Sequence, residues 1–302
     1  MKMKQDNKNV GSRVVMALLA VYFVWGSTYL AIRYGLTGFP PFTMAGLRFL
    51  AAGGILYFIM RRGGAPSPTP PEWRGAALVG GFLLLGGNGG VVFAEQWVSS
   101  GPAALAIASV PLWTVLFAGF WKKWPSGVEW AGILVGFIGV VVLNLGEDFR
   151  ANPAGAAALL AAAASWALGS AWSRHVSLPS GLMASAAEML TGGLLLVLFG
   201  AAVGERVYTV PQWQSLAALL YLIAFGSLVG FSSYVYLLKK VRPALATSYA
   251  YVNPVIAVML GTMIAGEKIS MQGITAMPLI LTGVILVMIG QRRARSVHEK
   301  GG

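Results

Sequence analysis

A chain of 302 residues in which 57% are hydrophobic and only 11% charged falls outside the soluble range, where about a quarter of residues carry charge. It reads as an integral membrane protein. The absence of cysteine excludes disulfides, thiolate metal sites and cysteine nucleophiles, and the formal net charge of +12 raises nucleic-acid binding as the one soluble-protein alternative.

Ten apolar stretches are each long enough to cross a bilayer core about 30 Å thick, which takes about 20 residues. They run over 13–35, 43–60, 75–96, 102–121, 128–145, 154–174, 181–203, 213–236, 244–264 and 272–290. If the N-terminus is cytoplasmic, the inner segments hold 17 Lys and Arg residues. The outer loops then hold only Arg150, Arg206 and Lys268, with Arg33 and Arg48 inside spans. This bias follows the positive-inside rule and predicts both termini in the cytoplasm. The basic charge is then a topology signal, which removes the nucleic-acid alternative.

In the first span, the apolar run after Arg13 is too long for a signal-peptide core and is followed by further spans. Tyr22, Trp25 and Tyr29 are spaced by three and four, which places them on one helix face. Trp25 is too central for an interfacial belt, and Arg33 reads as an outer-interface anchor. Arg48 lies inside the second span, where an ionisable group costs about 2.5–3.5 kcal/mol and asks for a partner or a wet path. Ala65 to Pro71 reads as a proline-rich cytoplasmic linker. In the third span Asn88 stands within Gly86-Gly87-Asn88-Gly89-Gly90, which weakens the helix at its centre, and interrupted spans mark transporter sites. Glu95, at the outer end of that span, fits either a wetted helix end or, if it faces a cavity, a proton carrier.

Pro111 in the fourth span is followed by Trp113, and the fifth carries Gly132-x-x-x-Gly136, a small-residue motif expected to pack within the bundle. Trp166 is central in the alanine-rich sixth span, opposite Trp25 if the two wall a cavity that offers π faces to apolar or cationic solutes. Glu188 sits in the seventh span at a depth like that of Arg48. The pair could meet as a clamp between halves or serve gating and substrate attraction, unless Arg48 snorkels outward. In the ninth span Tyr249 and Asn253 share a face and Pro254 breaks the hydrogen-bond ladder, so Pro111 and Pro254 are candidate hinges. Glu267 and Lys268 read as solvated loop residues.

The second five spans repeat the first. Trp25 and Arg33 are matched by Trp166 and Arg174, each 141 positions on; Ala52-Gly53-Gly54-Ile55-Leu56 returns as Thr191-Gly192-Gly193-Leu194-Leu195; and Pro102-Ala103-Ala104-Leu105-Ala106 returns as Pro243-Ala244-Leu245-Ala246. An odd number of crossings per repeat inverts the second half. The expected fold class is therefore an all-α membrane protein of ten transmembrane helices in two inverted five-helix repeats, the plan of a secondary transporter.

The residues also carry a resemblance. Trp25-Gly26-Ser27-Thr28-Tyr29, Pro40-Pro41, Arg48-Phe49, Ala103-Ala104-Leu105 and Pro111 resemble the first half of EamA-type transporters of the drug/metabolite transporter superfamily. Pro243-Ala244-Leu245-Ala246, Asn253-Pro254, Gly266-Glu267-Lys268 and Gly273 resemble the second half. The WGSTY and MAGLRF stretches look most like the YedA branch of that family. The resemblance implies a multi-pass protein of the cell inner membrane with EamA repeats at 13–145 and 154–290, and cytoplasmic tails at 1–12 and 291–302. It also implies a central cavity lined by spans one, three, four, six, eight and nine, and export of amino acids, other metabolites or toxic compounds. Its YddG-like amino-acid exporters have a largely hydrophobic cavity.

The expected function is alternating-access export of a small-molecule substrate by a monomer in membrane lipid. Trp25, Tyr29, Asn88, Trp113, Trp166, Tyr249 and Asn253 are the expected cavity residues, and Arg48, Glu95 and Glu188 the expected gating or ion-coupling groups. No cofactor, metal or nucleic acid is called for. An intramembrane enzyme is disfavoured because His175 and His298 fall at cytoplasmic ends, away from any intramembrane serine. A passive channel remains the alternative. Without a phosphate-binding Gly-x-x-x-x-Gly-Lys loop, uphill transport must draw on an ion or substrate gradient, with protons carried by Glu95 or Glu188 as the expectation.

Overall fold

In the computed structural model, which describes residues 2–119, 124–145, 152–207, 210–241 and 243–298, all regular structure among the described residues is helical. The helices are α1 (Lys2–Leu36), α2 (Pro41–Arg62), α3 (Pro70–Ala94), α4 (Ser100–Phe117) and α5 (Gly127–Asn144) in the first half. The second half holds α6 (Pro153–Trp172), α7 (Leu182–Ala202), α8 (Trp213–Lys240), α9 (Pro243–Ala246 and Tyr249–Ala265) and α10 (Met271–His298). Eight of these carry apolar stretches of 18 residues or more, and α5 and α9 carry shorter ones, Gly127–Leu143 and Val252–Ala265. Of the residues used to orient the chain, Lys122, Lys123, Arg150, Arg242 and Lys300 lie outside the described residues, as does the end of the fourth expected span.

Local chemistry moves several boundaries. The linker after α2 is shorter than expected, because Pro70 and Pro71 occupy the first turn of α3, where a missing N–H costs nothing. The Glu72 carboxylate accepts hydrogen bonds from the Thr69 N–H at 2.7 Å and hydroxyl at 2.9 Å, which fixes that start. Glu205, just past α7, does the same for α2 of the other half: its carboxylate accepts from Phe42 N at 2.9 Å, Thr43 N at 2.7 Å and Thr43 Oγ1 at 2.7 Å.

The helix pairs obey a two-fold relation. In each repeat the first helix packs against the third and fourth helices of the other repeat: α1 lies on α8 and α9, and α6 on α3 and α4. The second helices, α2 and α7, lie along each other, and so do the fifth, α5 and α10. Glycine permits both self-paired contacts. A Cβ at Gly53 would lie 2.9 Å from Leu190 N, and one at Gly283 would lie 2.5 Å from the Cα of Gly136. Gly132 and Gly136 thus serve packing inside the bundle, as the motif suggested. Ten crossings put both termini on one side, here called the terminal face; the opposite side is the far face.

Four spans are irregular, in matched pairs. Gly81–Gly89 in α3 and Leu222–Phe231 in α8 are π-helical, and α4 and α9 are each interrupted by a two-residue turn, at 108–109 and 247–248. Pro111 falls in the first turn after its break, while Pro254 lies inside a helix that continues past it. Neither proline sits at the interruption itself.

Candidate functional site

The irregular helices meet α1, α2 and α6 around a cavity in the middle of the bundle. From α1 come Trp25, Thr28, Tyr29 and Ile32, one face by their spacing; from α2 Arg48 and Phe49; from α3 Gly87, Asn88 and Val91; from α6 Trp166; from α8 Gly226 and Phe231; and from α9 Tyr249. The π-helical turn of α8 exposes a carbonyl, and Trp25 Nε1 donates to Gly226 O at 3.2 Å. Between these side chains the centres of water molecules reach about 60 Å³. That is room for a few waters, so a metabolite-sized solute enters only when side chains move.

The cavity wall is apolar apart from a few groups. Arg48 is 3% exposed; its Nε donates to Ser227 Oγ at 2.9 Å and its guanidinium lies 4.4 Å from the Phe49 ring centroid, while Nη1 has no hydrogen-bond partner among the described residues. Asn88 Oδ1 is likewise buried without a partner. An unsatisfied cationic N–H and an unsatisfied amide oxygen in an aromatic box are the arrangement that a polar solute completes.

Towards the terminal face four rings close the cavity. Trp25 lies 5.3 Å from Trp166, 5.1 Å from Tyr234 and 5.2 Å from Tyr249, centroid to centroid, and Trp166 lies 5.3 Å from Tyr234. Trp25 and Trp166, expected as opposite walls, touch edge to face because the layer is shut. Trp166 Nε1 donates to the Tyr234 hydroxyl at 3.1 Å, which is 2.7 Å from Ser170 Oγ. Beyond this layer Arg174 Nη2 donates to Leu238 O at 2.8 Å, tying α6 to the end of α8.

Towards the far face the gap is not bridged in this way. Arg33, Thr37, Glu95 and Gln96 line an open vestibule. Arg33 pairs with Glu267 at 2.7 Å, and Glu267 also accepts from Ser100 Oγ at 2.7 Å. Glu267, expected to be solvated, is instead a junction between α1, α4 and the α9–α10 loop, with its side chain 5% exposed. Glu95 is not a wetted helix end either. It is 4% exposed, and neither carboxylate oxygen has a hydrogen-bond partner.

The structure therefore gathers Trp25, Tyr29, Arg48, Asn88, Trp166 and Tyr249 at one cavity. It does not place Trp113 there: that ring packs on Phe137 and Phe117 at 5.0 and 5.8 Å, between α4 and α5. Asn253 is buried at 2% exposure with both amide atoms unpartnered, off the cavity wall. Arg48 and Glu188 do not pair, because they face opposite sides of the aromatic layer: Arg48 lines the central cavity and Glu188 a pocket at the terminal face. Tyr234 and Ser227 were missed. Continuing the 3–4 spacing from Trp25 finds Thr28 and Ile32, but no spacing rule points to Tyr234, whose role comes from a ring on another helix.

Comparison with known proteins completes the picture. The sequence profile of the EamA-like transporter family matches residues 12–145 and again 153–289. An uncharacterized inner membrane transporter of Escherichia coli K12, YedA, is 44% identical over 277 residues, 91% of this chain and 90% of that one. A probable amino-acid metabolite efflux pump of the same organism is 26% identical over 306 residues, 94% and 97% of the two chains. A protein of known crystal structure shares the fold at a TM-score of 0.67 with 22% identity, covering 92% of this chain and 98% of its own. Two matches to one family that together span nearly the whole chain, on ten helices in two related halves, show that this protein belongs to the EamA-like transporter family and is a multi-pass membrane transporter with two EamA domains.

Proposed function

We propose that the protein is an inner-membrane exporter of amino acids or related small metabolites, working by alternating access. The carrying observation is the central cavity, built from both repeats and holding the unsatisfied Arg48 Nη1 and Asn88 Oδ1 among aromatic faces. The E. coli efflux pump named above supports the substrate class. The excess of basic residues on the terminal-face side supports a cytoplasmic terminal face. On that reading the layer of Trp25, Trp166, Tyr234 and Tyr249 is the closed cytoplasmic gate, and the vestibule at Arg33 and Glu95 is the open outer side. The bodies that rock are α1 with α8 and α9 against α6 with α3 and α4. Glu95 and Glu188, buried carboxyls on either side of the cavity, are the proposed proton carriers.

The test is flux in proteoliposomes of the purified protein, over a panel of amino acids and lipophilic cations. Saturable flux with accelerated exchange against unlabelled substrate supports a carrier. Non-saturable flux without exchange indicates a channel, and no flux of any panel member by folded protein sinks the proposal. Flux unchanged by collapse of the proton gradient and by both Glu95→Gln and Glu188→Gln removes proton coupling.

A further inference from the structure

The pocket at the terminal face plays no part in the central cavity, yet it holds a buried carboxylate. Glu188 on α7 is 1% exposed, its Oε2 has no hydrogen-bond partner, and it lines a space of about 350 Å³, within the size range of small-molecule sites. Leu178, Val235 and Leu238 form apolar walls. Lys239 is exposed at the mouth, with Nζ donating to Pro179 O at 2.9 Å. Arg174, also exposed, brings a second cation to the same pocket, whereas Glu188 is buried.

Glu188 occupies the repeat position of Arg48, 140 residues on, and the helices that carry them pack along each other. The two-fold relation thus sets a buried carboxyl with an unpartnered oxygen on one side of the aromatic layer and a buried guanidinium with an unpartnered N–H on the other. A lone buried charge is costly, by several kcal/mol, so each group is completed by a ligand that brings its counter-charge. A plain amine satisfies Glu188 and is repelled at Arg48, and a plain carboxylate meets the reverse. A zwitterion satisfies each in turn.

We infer that the terminal-face pocket is a loading site for zwitterions of the α-amino-acid type, which places the ammonium group on Glu188 and the carboxylate toward Lys239 before the carboxylate passes to Arg48. The inference rests on the reading of the central cavity as a transport site. It goes beyond that reading in assigning a second, earlier site, at which the substrate ammonium displaces the proton that Glu188 carries.

Three probes with one apolar group test it: phenylalanine, phenethylamine and 3-phenylpropanoate. In proteoliposomes, Glu188→Gln is expected to raise the half-saturating phenylalanine concentration measured from the terminal face by on the order of tenfold or more, the worth of a charge-assisted hydrogen bond. The value from the far face should change less than about twofold on the same reasoning. Glu188→Asp, which keeps the charge, should restore most of the loss. The chain has no cysteine, so Ser173→Cys, on the pocket wall, gives a second readout: phenylalanine should slow its alkylation and 3-phenylpropanoate should not. Equal effects of Glu188→Gln on both faces, or equal protection by all three probes, would overturn the loading site while leaving the central cavity standing. Wild-type protein that moves none of the three overturns the transport reading and this inference together.

Discussion

Replacing Tyr234 with phenylalanine isolates the polar part of the closed gate. The hydroxyl accepts from Trp166 Nε1 at 3.1 Å and lies 2.7 Å from Ser170 Oγ, which itself donates to Trp166 O at 2.7 Å. Tyr234 is therefore the donor to Ser170, and its removal takes from Trp166 Nε1 the acceptor at 3.1 Å while Ser170 keeps a partner. Trp166 is half-buried, so the loss sits in the lower part of the range for an unsatisfied donor, about 1 to 2 kcal/mol. The bond joins α8 to α6, which pack with different helix groups, so on the proposed alternating-access cycle it breaks when the terminal face opens. Tyr234→Phe should therefore shift the population toward terminal-face opening by about five- to thirtyfold. The assay uses single cysteines in this cysteine-free chain: Ala246→Cys, 1% exposed on the sealed side, and Thr37→Cys in the open vestibule. Alkylation of the first should speed up and that of the second slow down in the Tyr234→Phe background. Unchanged rates at both positions, with folded protein, would refute the assignment of this bond to the gate.

Arg48→Lys keeps the charge but loses the Nε bond to Ser227 and the planar stack on Phe49; half-saturation of transport should rise about tenfold with little change in thermal stability. Gly283→Ala puts a methyl group 2.5 Å from Gly136 Cα and 2.6 Å from Gly132 O, all backbone that cannot give way, so α5 and α10 separate at a cost of about 1–3 kcal/mol. Its control is Gly54→Ala in α2, where no atom lies within 4 Å of the added Cβ and stability should rise by about 0.5–1 kcal/mol; thermal unfolding in detergent reads both. Glu205→Gln weakens three hydrogen bonds at the start of α2 and should cost about 1–2 kcal/mol in the same assay.

What could be read from the chain was whatever depends on one helix at a time. Span number, the duplication and the small-residue seams follow from composition and order, and Trp25, Tyr29 and Arg48 followed from depth and face within single spans. The errors share a cause. Trp113 and Asn253 were assigned by adjacency to Pro111 and Pro254, but the helix breaks fall at 108–109 and 247–248, which rotates those side chains to other neighbours. The π-helical stretch of α8 has no asparagine and only Gly226 and Gly230 to betray it, although the repeat places it opposite the glycine cluster of α3. Glu267 was judged by its place in a loop, whereas its burial is decided by Arg33 on α1 and Ser100 on α4, from the other half of the chain.

The repeat also supplies a comparison within one molecule. Arg33 and Arg174 are equivalent by sequence, at the ends of α1 and α6, but only Arg174 reaches across to the other helix group, where Nη2 donates to Leu238 O at the end of α8. Arg33 shares the vestibule with Glu95 and Gln96 at the end of α3 but pairs with Glu267, which also accepts from Ser100 Oγ on α4. The two arginines thus make unequal contacts at equivalent places: Arg174 holds the backbone at the end of α8 on the shut face, and Arg33 stops at the Glu267 junction on the open one. Exchange of states should swap them, bringing Arg33 to the backbone at the end of α3 and releasing Arg174. Both side chains are largely exposed, so solvent holds each bond to about 1 kcal/mol or less, a few-fold in population. Arg174→Ala should therefore speed alkylation of Ala246→Cys by that factor. Arg33→Ala also removes the Glu267 ion pair of the present state, so it is compared with Glu267→Gln, which removes that pair without touching Arg33; beyond that control it should act the other way, because it removes the bond that the opposite state would form. If both substitutions moved the cysteine rates in the same direction, the equivalence of the arginines as gate latches would be wrong, and the two-fold relation would describe packing alone.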